Sequence, residues 1–159
     1  MNVEERFESA ILSTAYLPNL QYLSKFILFN RIYVEHFENY QKQSFRNRCV
    51  IYGANGPLTL VIPVKKNHGE KTMIKDIQID YELSWQRQHW VSIHSAYKNS
   101  PYFDYYMDDL CPFYLKREKY LIDLNENYSV KLENWQELIP NTLKPKVIIH
   151  QGNLITEQA

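Results

Sequence analysis

Glycine is scarce in this chain of 159 residues, with 4 in all, and none of them builds a phosphate-cradling loop: neither G-x-G-x-x-G nor a Walker sequence is present. Cysteine is scarcer still. The two cysteines, Cys49 in a predicted strand and Cys111 in a predicted helix, form neither a disulfide framework nor a Cys-x-x-Cys metal spacing, so a reducing cytoplasm is the expected setting. Net charge is missing too. The 18 basic residues cancel the 18 acidic ones, which removes the global field that non-specific nucleic-acid binding or membrane steering draws on. No apolar run approaches the roughly 20 residues of a spanning helix, and the opening Met1-Asn2-Val3-Glu4-Glu5-Arg6 is acidic rather than the basic start of an export signal. The expected partners are therefore neither nucleic acid nor membrane.

The five histidines make no H-E-x-x-H or comparable spacing, so no metal and no cofactor is expected. Covalent catalysis lacks support as well: there is no G-x-S-x-G elbow, and neither cysteine sits in a cationic helix start. Aromatic residues are what the chain has in excess, with 13 Tyr, 7 Phe and 3 Trp. Tyrosine joins an apolar body to a polar tip, which suits pocket rims, sugar-stacking platforms and protein interfaces, a homo-oligomeric one included, as well as half-buried packing.

Periodicity and punctuation predict an α/β fold of α+β character in a single domain. A mixed sheet built from the N-terminal half is covered by C-terminal helices, and residues 141–159 form a tail or an added edge strand. Ala10 to Ala15 reads as a short buried strand, and Leu20 to Phe29 as a helix with Leu20, Leu23, Phe26 and Ile27 inward and Asn19 as its N-cap. Arg31 to Glu35 is a second strand, and strand, helix and strand in succession suggest a parallel crossover. Val50 to Tyr52 and Leu58 to Val64 read as a hairpin turning at Asn55-Gly56, with a further strand at Ile74 to Ile79 extending the same sheet. Asn67 to Glu70 is a polar loop, either lid-like or simply solvated. From Leu83 the pattern turns helical. Trp85, His89, Ser92, Ala96 and Asn99 fall on one face with Trp90, Ile93 and Tyr97 beside it, and a largely covered helix is predicted. Ser100-Pro101 starts the next helix, Asp108 and Asp109 face solvent, Pro112 breaks that helix, and Phe113 to Leu138 supplies one or two more.

The candidate ligand-binding segment lies before the hairpin. Asn39, Tyr40, Lys42, Arg46, Asn47 and Arg48 are polar, cationic and poor core material. Arg46 and Arg48 share a face if they begin a strand, and without interleaved acids two guanidiniums suit phosphate or carboxylate. The competing reading is pairing with Glu35, Glu38 or Asp76. Tyr16, beside the start of the first helix, is the candidate stacking residue, at a corner where free helix N–H groups could meet an anion. The candidate proton-transfer residues are His89, among tryptophans, and His36, at the end of the second strand. For His89 a satisfied core histidine is the alternative.

Three segments carry a family resemblance: Y-L-P-x-x-Q-Y at Tyr16 to Tyr22, N-Y-Q-K-Q-S-F-R-N-R-C at Asn39 to Cys49, and N-G-P-L-T-L-V-I-P-V at Asn55 to Val64. Together with the aromatic stretch from Trp85 to Tyr106 and L-x-x-L-N at Leu121 to Asn125, they resemble the WbqC-like family of bacterial proteins. Some members of that family are encoded in O-antigen or other surface-polysaccharide gene clusters. The resemblance therefore implies a cytoplasmic enzyme of the transferase kind, acting on a nucleotide-activated or phosphorylated sugar. The alternative is a non-catalytic module that binds such a small anionic ligand, or a partner, through the same surface. One departure limits the carry-over. Many members read H-Q-P-N-Y-L-P where this chain has Leu12-Ser13-Thr14-Ala15-Tyr16-Leu17-Pro18, so no mechanism that uses that histidine applies.

Overall fold

Asn19 does what its side chain suggests: its Oδ1 accepts from the Tyr22 N–H at 2.9 Å and starts helix α1 (Leu20–Leu28). The helix connects strands β1 (Phe7–Ser13) and β2 (Phe29–Glu35), which pair in parallel. A computed structural model supplies the coordinates and describes residues 7–65, 71–135 and 146–150. Strand β5 (Lys146–His150) joins β2 on its other side, also parallel, giving the order β1-β2-β5. β3 (Arg48–Gly53) and β4 (Gly56–Val61) form an antiparallel hairpin. Three helices follow: α2 (Trp85–Tyr97), α3 (Phe103–Leu115) and α4 (Leu121–Trp135). The chain is thus one mixed α/β domain with helices mostly in the C-terminal half.

The hairpin does not extend the parallel sheet as expected; it stands as a second sheet of its own. Ile74 to Ile79 is not a strand either, but a single 3-10 turn at Ile74–Asp76 with isolated bridges to either side. Its isoleucines Ile74, Ile77 and Ile79 are all buried, so hydrophobic anchoring rather than sheet pairing explains the alternation read there. Residues 67–70, the expected polar loop, lie outside the described residues.

Burial is divided between two clusters. Phe26 of α1 packs on Ile32 and Val34 of β2, with Ala10, Leu12, Tyr22 and Phe29 at the margin. The larger cluster joins the inner hairpin face (Cys49, Ile51, Leu60) and Ile62 to Trp85, Ile93, Phe103, Tyr114, Leu121, Leu124 and Tyr128 of the helices. β1 is therefore not the buried strand expected: Ile11 is 67% exposed, and burial begins after the strand, at Thr14, Ala15 and Tyr16. In α1 the inward residues are Tyr22 and Phe26, while Leu20 is 82% exposed. α2 buries only the stripe Trp85, His89 and Ile93, four residues apart, with Trp90 half-buried and Val91 and Tyr97 exposed.

Pro112 does not break α3. It sits in the last turn, where one lost backbone bond is tolerable because the turn still closes through Lys116 N–H to the Pro112 carbonyl at 3.0 Å. Ser100 ends α2 rather than starting α3: its hydroxyl donates to the Tyr97 carbonyl at 2.6 Å. Asp109 faces Lys131 Nζ at 2.6 Å instead of solvent alone.

Candidate functional site

The segments singled out in the sequence converge. Tyr16, fully buried, donates its backbone N–H to the Phe45 carbonyl at 2.9 Å, and the next carbonyl along, that of Arg46, accepts from Asn125 Nδ2 at 2.8 Å. The Tyr16 hydroxyl lies 2.9 Å from His89 Nδ1 and 3.0 Å from the Tyr114 hydroxyl. The His89 ring also donates to the Val61 carbonyl, which leaves Nδ1 to accept from Tyr16. Burial lowers the His89 pKa to about 4, only partly opposed by that Val61 bond, so the imidazole is neutral near pH 7. Burial pushes Tyr114 up to about 12 and Tyr16 well above its ordinary range, and the neighbouring tyrosines add to the rise at Tyr16. The Tyr128 hydroxyl is buried beside this group without a hydrogen bond of good geometry. This is a closed aromatic relay, and Tyr16 within it has no open face for a ligand.

A second polar group lies at the carboxyl ends of β1 and β2. Arg46, 8% exposed, donates Nε to Glu38 Oε1 at 2.7 Å and a terminal N–H to Glu38 Oε2, with further bonds to Ser13 Oγ at 3.1 Å and Gln41 Oε1 at 3.4 Å. Ser13 Oγ in turn donates to Glu38 Oε2 at 3.1 Å, and the Tyr22 hydroxyl donates to the Ser13 carbonyl at 3.0 Å. Burial raises Tyr22 to about 12, and the Glu38 charge adds to the rise. Arg46 is thus held by a bidentate carboxylate, the strongest geometry open to it.

Arg48 is held differently. It is half-buried at the start of β3, has no ion-pair partner among the described residues, and its Nε is buried without a hydrogen-bond acceptor. Tyr40 lies near both guanidiniums: burial raises its pKa, and Arg48 first and then Arg46 pull it down. Lys42 and Asn39 are exposed, Asn39 bridging to Met73. Asn47 is buried and structural, donating Nδ2 to the Ile62 carbonyl at 2.9 Å while its own carbonyl accepts from Ile62 N–H at 2.8 Å.

His36, at the end of β2, places Nε2 2.6 Å from Glu126 Oε1 on α4, a close ion-pair contact not aligned as a hydrogen bond. Burial raises Glu126; His36 opposes this and Asp123 adds to it. The structure therefore separates the two candidate histidines, His89 inside the aromatic relay and His36 against α4. Glu126 and Tyr114 were not picked out by sequence, and Ser13 and Tyr22 entered only as letters of the family segments, without a site role. Only the three-dimensional neighbourhood brings them in, although Ser13 at a strand end was a readable hint.

Two non-glycine residues with positive φ, Leu17 (41°) and Gln43 (59°), sit in the Tyr16 and Asn39 segments, and such strain gathers at functional loops. Clefts of about 280, 330, 390 and 810 Å³ open on other faces, and their linings include none of Arg46, Arg48, His36 or His89. Among the described residues no group of three or more His, Cys, Asp or Glu side chains is arranged to hold a metal ion, and no helix is long and apolar enough to cross a membrane. Both cysteines are unpaired, and burial raises Cys49 to about 12.

No curated protein matches the chain, and no solved structure does. The model of the WbqC-like protein family matches residues 14–144, a span that takes in the aromatic relay, the Arg46–Glu38 pair and Arg48. The chain belongs to the WbqC-like protein family.

Proposed function

We propose that this WbqC-like chain binds a small anionic ligand of the phosphorylated or nucleotide-activated sugar class, and acts on it as a cytoplasmic enzyme of surface-polysaccharide precursor synthesis. The observation that carries the reading is Arg48: a half-buried guanidinium with a buried, unaccepted Nε is costly unless an acceptor arrives. In this reading Arg48 takes phosphate oxygens bidentately, exposed Lys42 adds charge, and Tyr40 and Asn39 line the approach. Arg46, neutralised by Glu38, positions the segment rather than holding the ligand. His36, steadied by Glu126, moves the proton. That some members of the family are encoded in polysaccharide gene clusters supports the sugar class.

One observation favours a non-catalytic binding module instead: His89 is engaged on both sides, and none of the clefts described joins an arginine to an imidazole. A thermal-shift screen with UDP-glucose, glucose 1-phosphate and inorganic phosphate tests the shared core of both readings. A ligand at 100 times its dissociation constant should stabilise by roughly 2.7 kcal/mol. That shift should vanish in Arg48→Ala and shrink in Arg48→Lys. If no anion stabilises the wild type, the anion-site reading fails. Product formation lost in His36→Gln with binding intact would choose the enzyme over the module.

A further inference from the structure

Between α3 and α4 lies a cleft of about 280 Å³ that takes no part in the anion reading. Its floor is apolar: Pro112 and Phe113 from the end of α3 and Leu124 from α4. The Phe113 ring is fixed by stacking on Tyr128, centroids 4.0 Å apart at 24°, so it offers a rigid surface. Leu124, Asn127 and Lys131 are spaced three and four residues apart on α4, which puts them in one row along the cleft.

The rim is polar but already balanced. Lys131 Nζ meets Asp109 Oδ1 at 2.6 Å, and Lys116 Nζ meets Glu118 Oε1 at 2.6 Å, with Asn127 Nδ2 donating to the same Glu118 oxygen at 3.2 Å. No charge is left over for a phosphate or a cation. What the rim does offer is both acceptors and donors around a flat apolar floor, with side chains exposed enough to exchange partners. Lys116 is 72% exposed and Lys131 is 40% exposed. A ligand that fits has an apolar ring face, several hydroxyls able to give and accept, no net charge, and a size below the usual range of about 300–1,000 Å³ for drug-sized sites.

We infer that the α3–α4 cleft is a binding site for one neutral sugar ring, seated on Phe113 and Pro112 and hydrogen-bonded by Asn127 and the two flanking ion pairs. The inference does not rest on the anion site. Saturation-transfer NMR on the full chain with glucose, galactose and N-acetylglucosamine tests it. Transfer to the ring C–H protons of at least one sugar is expected, with affinity down about 5-fold or more in Asn127→Ala and transfer abolished in Asn127→Trp, which fills the mouth. Asn127 is exposed, so neither change threatens the fold. Arg48→Ala should leave the transfer unchanged. Absence of transfer from all three sugars, or equal transfer in Asn127→Trp, overturns the inference. So does binding confined to glucose 1-phosphate and lost in Arg48→Ala, a result that would leave the anion site standing.

Discussion

Glu38 and Arg46 face each other as a fork on a fork, with Ser13 bonded to both partners, so the guanidinium read from the sequence as a ligand hook is occupied by the protein itself. The two arginines of the segment therefore divide into a structural one and an open one.

Arg46→Ala should cost about 3 kcal/mol or more in urea denaturation, because it strands a largely buried carboxylate, whereas Arg48→Ala should cost no more than about 1 kcal/mol. Equal costs at the two positions would contradict the division.

His89 sets an acid limit. Its pKa is lowered from about 6.5 in the unfolded chain to about 4 in the fold, so protonation favours unfolding. The stabilisation is complete above about pH 6.5 and is lost as pH falls toward 4, amounting to about 3 kcal/mol. Melting temperature measured across that window should fall in the wild type and fall less steeply in His89→Gln. Parallel curves would assign the acid limb to other groups.

Asn125 explains the asparagine of the L-x-x-L-N segment. It is fully buried, and its Nδ2 holds the Arg46 carbonyl. Asn125→Asp should destabilise more than Asn125→Ala, since it sets a carboxylate against a carbonyl, with the alanine change costing about 1–3 kcal/mol. Chemical denaturation that ranked alanine as the worse of the two would remove this role.

Gly56 has φ of 111° at the start of β4, and a Cβ added there would meet nothing within 4 Å. Any penalty for substitution is then conformational. Gly56→Ala and Gly56→Val should both lose about 1–2 kcal/mol despite their different sizes. No change in midpoint for either would show that the turn tolerates side chains.

The hairpin and the first crossover were legible because their signals are local: Asn19 as a cap, β-branched runs, and a glycine needing positive φ. Even so, register shifted the turn. Gly53 pairs with Gly56, so Ala54-Asn55 makes the bend and Gly56 follows it. The resemblance was legible from residue identity alone, and it located Tyr16, Arg46, His89 and Asn125 without revealing that they interlock. Burial misled in β1, where alternation says nothing of which face a neighbour covers. Arg46 was ambiguous for a physical reason: whether Glu38 or a ligand completes a guanidinium depends on where the chain folds back, and composition does not encode that. Residues 67–70 lie outside the described residues, and the division into a domain at 1–140 and a tail at 141–159 is a reading of the sequence alone.

The central place of β2 has a kinetic consequence. Arg31 pairs with Lys146, more than a hundred residues downstream, so the three-stranded sheet cannot close until all three intervening helices have been synthesised. During that interval one side of β2 carries open backbone donors and acceptors, the template on which another nascent chain can add a strand. Loop closure of this length also slows the final step relative to the hairpin, which pairs within a few residues. A truncation before residue 146 would make that transient edge permanent, and the expected outcome is aggregation during expression rather than a smaller folded protein.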